Sequence, residues 1–89
     1  MRYVEQLRAG RALLHWSQDT LAERSNVGVA TVRRLEGQSG VLRGSVRSVW
    51  ALQAALEQGG VIFLPDTDGL GPGVRLARPP DGLLPAERT

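Results

Sequence analysis

Apolar residues return at intervals of three and four along the first half of the chain and then, beyond a pair of glycines, gather into two short β-prone runs. Four helices followed by a hairpin are the elements this pattern predicts. From Tyr3 to about His15, Val4, Leu7, Leu13 and Leu14 mark one face of an amphipathic helix. Gly10 sits inside it at a cost of up to about 1 kcal/mol relative to alanine, so a close packing contact is expected there. Trp16 follows as a core plug. Ser17 is placed to cap a second helix, with Asp19 near its positive end and Leu21 and Ala22 facing inward. That helix stops around Ser25, Asn26 and Val27, where asparagine tolerates the left-handed conformation a sharp turn needs.

A third helix is predicted from Gly28 to Glu36, with Val32 and Leu35 inward and Ala30, Thr31, Arg33 and Arg34 outward. The glycines of residues 37–44 make a loop, after which Ser45 caps a fourth helix running to about Gln58. Val46, Val49, Trp50, Leu52 and Leu56 give that helix a broad apolar arc. Gly59 and Gly60 end it. Val61 to Leu64 and Val74 to Ala77 then read as two strands joined by a turn-rich loop. A two-stranded hairpin alone is marginal in water, so this one must lie on the helices or pair with another chain through its edges. The expected organisation is a helical unit over residues 1–58, a hairpin over 59–78 that serves dimerisation, and a flexible tail over 79–89. There is no internal repeat and no heptad run long enough for a coiled coil.

Charge sharpens this division. The net charge is only +2, yet residues 1–50 hold eight arginines against four acids and residues 51–89 hold three against five. The first half can face phosphate and the second should not. All the cations are arginine, for which GC-rich coding bias is a sufficient explanation, although its planar head suits phosphate and guanine wherever one is well placed. Cysteine is absent and His15 is the lone histidine, which removes disulfides, thiolate metal sites and clustered imidazoles. No apolar run approaches the roughly 20 residues of a bilayer span. The start Met-Arg-Tyr-Val-Glu is too polar for a signal peptide. A cytoplasmic protein with no membrane association is the expectation.

The second and third helices carry a pattern beyond periodicity: Ser17-Gln18-x-x-Leu21-Ala22-x-x-Ser25-x-Val27-x-x-x-Thr31-Val32-x-x-Leu35-Glu36. It resembles the helix-turn-helix family of Cro, phage repressors and xenobiotic-response-element-type bacterial regulators. The resemblance covers about residues 4 to 56. It implies a lambda-repressor-like, mainly α bundle of four to five helices, here followed by a β-hairpin, whose third helix enters the major groove of double-stranded DNA. By the same resemblance Gln18 contacts the backbone or an adjacent base, and Gly28, Val29, Ala30, Thr31, Arg33 and Arg34 form the outward face of the reading helix. Val29 and Ala30 depart from the polar residues common there and allow only thymine-methyl contact or close approach. Arg33 and Arg34 must then contribute more. The resemblance also pairs Arg11 internally with Glu36, and assigns phosphate contacts to Arg43, Ser45 and Arg47 with the backbone N–H groups of Gly44 and Ser45. Residues 59–89 lie outside the resemblance; because the family often oligomerises through whatever follows its DNA-binding helices, a homodimer formed through helix four and the hairpin, on an operator of two half-sites, is expected.

An enzyme is the poorest fit. No nucleophile, acid and histidine share a suggestive spacing, and no phosphate-binding glycine loop, metal motif or cofactor motif is present. Gly69-Leu70-Gly71-Pro72-Gly73 is loop chemistry. The alternative to a repressor is an antitoxin-like protein, which masks a partner protein with its carboxyl-terminal segment and autoregulates its own operon.

Overall fold

The computed structural model describes residues 1–80. Four helices come first, α1 (Val4–Leu13), α2 (Gln18–Ser25), α3 (Val29–Glu36) and α4 (Val46–Gln58), then β1 (Val61–Leu64) and β2 (Gly73–Leu76). The chain is therefore mostly helical with one antiparallel hairpin. The tail expected over 79–89 lies, from residue 81 on, outside the described residues.

Local chemistry sets most of the boundaries. Ser17 Oγ accepts from Thr20 N at 3.0 Å and Ser45 Oγ from Ser48 N at 3.1 Å, each satisfying a donor that the first helical turn leaves open. Asn26 ends α2 in the left-handed region at φ 58°. Helix α1 stops earlier than expected, at Leu13 rather than near His15, because His15 itself turns left-handed at φ 56°. Trp16 N then reaches back to the Arg11 carbonyl at 3.2 Å. At the other end of the bundle Gly60 adopts φ 109°, a conformation that favours glycine, and so turns the chain from α4 into β1.

Leu7, Leu21, Val32, Leu35, Leu52 and Leu56 are fully buried and form one core with Ala22, Ala55 and Val61. Trp16 packs against this core half-buried, with the Arg24 guanidinium 5.1 Å from its ring centroid. Gly10 explains itself: a Cβ there would lie 3.4 Å from Leu56 Cδ1 and 3.6 Å from Val61 Cγ1, so α1 approaches both α4 and the hairpin closely. The arc expected on α4 is narrower than its apolar residues imply. Leu52 and Leu56 are buried, but Val46 and Trp50 face outward, 66% and 71% exposed. With one buried stripe on α4, the residues about half a turn away are covered by none of the described residues.

The hairpin pairs within the chain, Val61 opposite Leu76 and Leu64 opposite Gly73, so β2 begins one residue earlier than the apolar run indicates. Its inner side chains Val61, Phe63 and Val74 pack on the helical core, which resolves the marginal stability of an isolated hairpin. A single side chain staples it. Gln6, 4% exposed, accepts from Arg2 N (2.9 Å) and Tyr3 N (3.1 Å), and donates to the carbonyls of Leu64 (3.0 Å) and Gly73 (3.2 Å). No helix among the described residues is long and apolar enough to cross a membrane.

Candidate nucleic-acid interface

The turn between α2 and α3 is held by short-range hydrogen bonds. Ser25 Oγ donates to Leu21 O at 2.7 Å and accepts from Val27 N at 3.3 Å, while Val27 N also donates to Ala22 O at 3.2 Å. Gly28 then serves as the cap of α3 with no side chain to satisfy it. Behind the two helices, Glu36 is 6% exposed and receives Arg11 through two bonds, from Nε at 2.8 Å and Nη2 at 2.9 Å. The planar fork matches the carboxylate geometry, and the bond to Glu36 is the chief cause raising the Arg11 pKa above its usual value. The expected Arg11–Glu36 pair is thus present. Arg11 Nη1 also donates to the Trp16 carbonyl at 3.0 Å, tying the α1–α2 corner into the same node.

Gln18 belongs to this network as well. Its Nε2 donates one N–H to Glu36 Oε1 at 3.0 Å, which fixes the amide against the protein. The second N–H and the carbonyl oxygen remain for an outside partner. Val29 also departs from expectation: it is half-buried and packs against the core, not on the outward face of α3. The first helical turn cannot hold every side chain outward while Val32 and Leu35 are buried, because α3 has an inward stripe that begins at Val29. Gly28, Ala30, Arg33 and Arg34 are exposed, and Thr31 is half-exposed. Arg33 approaches Asp19 only at 3.9 Å with both side chains largely in solvent, a contact too long and too wet to hold the guanidinium.

The loop after α3 is clamped from two sides. Gln38 exchanges two bonds with the Arg43 backbone, its Nε2 to Arg43 O at 2.9 Å and its Oε1 from Arg43 N at 3.0 Å. Arg8 donates to the Glu36 carbonyl at 2.9 Å, at the carbonyl-rich end of α3 where a cation is favoured. Glu5 accepts from Gly40 N at 3.2 Å, and backbone hydrogen bonds hold its carboxyl below the ordinary carboxylate range. Arg43 is consequently an exposed side chain on a fixed backbone. Ser45 caps α4 as expected: its hydroxyl accepts from Ser48 N and donates to Ser48 Oγ at 2.9 Å, so its proton is engaged within the first turn and a phosphate would meet the backbone N–H groups there. Arg47 is exposed one residue into the helix.

Sequence reasoning missed Gln6, Arg8 and Gln38. Gln6 had a signal, since it stands four residues before the buried Gly10 and so on the covered side of α1. Arg8 and Gln38 had none, because both act through backbone groups of a loop whose path sequence does not fix.

Among the described residues no cluster of histidine or carboxylate side chains could hold a metal ion. A depression of about 710 Å³ is lined by the ends of α1 and α4 and by residues 76–80, and no residue of α3 reaches it. No family model and no curated protein matches the chain.

Proposed function

We propose that the protein is a cytoplasmic, sequence-specific DNA-binding repressor of the Cro and phage-repressor type, which inserts α3 into the major groove. The observation that carries this reading is a short helix pair, set at a fixed turn by Asn26 and the Glu36 node, whose outer surface is left to Ala30, Thr31, Arg33 and Arg34. Two of these can donate to guanine O6 and N7 or to phosphate, and Thr31 to either. Arg43 and the backbone N–H groups at the opening of α4 supply phosphate contacts. The protein acts as a homodimer on a two-fold operator. Val29 serves packing, and Gln18 orients the helix pair more than it reads bases.

Selection of bound sequences from random DNA tests the reading, repeated with Arg33→Ala and Arg34→Ala. Loss of preference at one base position marks a base reader, and uniform weakening with a shallower salt dependence marks a phosphate contact. If the wild type enriches no sequence, the reading fails. One observation favours the antitoxin-like alternative: Ile62, Leu64 and Leu70 are 43%, 40% and 74% exposed on the hairpin, an apolar surface suited to a protein partner. A toxin-like reading frame beside the gene whose product co-purifies with the wild type, but not with an Ile62→Lys variant, would decide for it.

A further inference from the structure

We propose that the outward face of α4 is the contact surface for a second copy of this chain, laid antiparallel about a two-fold axis. Six positions of α4 are exposed: Val46, Arg47, Trp50, Ala54, Glu57 and Gln58. At helical spacing these fall on one stripe. Val46 and Trp50 are among the most exposed large apolar residues of the described chain, at 66% and 71%.

The order along the stripe commits it to its own copy. Arg47 stands near the amino end, Trp50 and then Ala54 in the middle, and Glu57 near the carboxyl end. A two-fold axis at the level of Leu52 lays Trp50 over the partner's Ala54, a large side chain on a small one. The same axis lays Arg47 over the partner's Glu57, at either end of an apolar centre about 15 Å long. Both pairings share one midpoint, and each occurs twice by symmetry, as an isologous interface requires. A parallel arrangement would set Arg47 on Arg47 and Glu57 on Glu57. DNA would meet the Glu57 charge on the same stripe as Trp50.

This rests on the two-fold part of the proposed function, and it moves Arg47 from phosphate to the interface. The test is made without DNA, so its failure and the failure of DNA recognition are separate results. Sedimentation equilibrium of the full chain at micromolar concentration should give twice the chain mass. Arg47→Glu and Glu57→Arg should each weaken the dimer by about tenfold or more, since each places like charges face to face at two sites. The double variant should restore it to within about threefold of wild type, a rescue that no independent role of either residue produces. Trp50→Glu should be monomeric with an unchanged helical circular dichroism spectrum, as its side chain is 71% exposed and lies outside the hydrophobic core of the described residues. A monomeric wild type, charge reversals without effect, or a double variant that stays dissociated overturns the proposal. So does a dimer broken by Ile62→Lys and indifferent to α4.

Discussion

Two buried polar side chains hold this small molecule together, and they differ in what they put at risk. Gln6 is neutral and links the first residues of the chain to both strands, while Glu36 is charged and links α1 and α2 to the end of α3. Among the described residues no buried side-chain polar atom lacks a partner. The stakes are unequal. An amide that loses its site can leave carbonyls to water at a sheet end, but a carboxylate or guanidinium left alone inside keeps its full desolvation cost. The hairpin is thus fastened by something replaceable, and the candidate reading helix by something that is not.

Glu36→Ala is the sharpest way to break that contrast. It strands the Arg11 guanidinium and frees Gln18, and should cost about 3 to 5 kcal/mol in chemical denaturation. A cost below about 1 kcal/mol would mean that Arg11 escapes to solvent and that the node is not structural. Gln6→Leu should cost less, about 1 to 3 kcal/mol, because four backbone groups lose a partner while part of their surroundings remains wet. Its effect should also be local. Amide exchange should rise in residues 61–64 and 73–76 before it rises in α3. Uniform acceleration across the chain would show that the hairpin and the helices unfold as one unit. The two changes share no hydrogen-bonding partner, so their costs should add within about 0.5 kcal/mol in the double variant.

Much of this arrangement was legible in the residues, for reasons that differ along the chain. Ser17, Asn26 and Ser45 act on their own neighbours, and local chemistry predicts local structure well. Leu21, Val32, Leu35, Leu52 and Leu56 were readable because helical periodicity has few alternatives once the ends are fixed. Val46, Trp50 and Val29 were misplaced because apolar character does not reveal which side of a helix the rest of the chain covers. Gln18 differs in another way. The resemblance gives it an outside partner, and it also has an inside one, Glu36, which only the packed structure brings within reach. The hairpin fell between these cases: its strands were visible, but its seat on α1 depended on Gln6, whose partners lie 58 and 67 residues away.

The smallest expected effect concerns a second tether of the hairpin loop, one set in water. Tyr3 donates its hydroxyl to Asp66 Oδ2 at 2.8 Å. That bond is the chief cause holding the Asp66 carboxyl below its ordinary value of 3.8 and the Tyr3 phenol above its ordinary 10.0. A depressed carboxyl gives stability that is present above its unfolded pKa and fades as pH falls through the folded one. A raised phenol gives stability that is complete below its unfolded pKa and fades as pH rises through the folded one. The tether should therefore be intact across neutral pH and fail at both extremes, in contrast to Gln6, which does not titrate. An NMR titration of the Asp66 carboxyl in wild type and Tyr3→Phe separates the two fastenings. Its midpoint should move up toward the ordinary carboxylate value in the variant, while the amides of residues 61–64 and 73–76 keep their protection. An unmoved midpoint would show that the phenol does not hold the loop in solution. Lost strand protection would show that Tyr3, and not Gln6 alone, seats the hairpin on the helices.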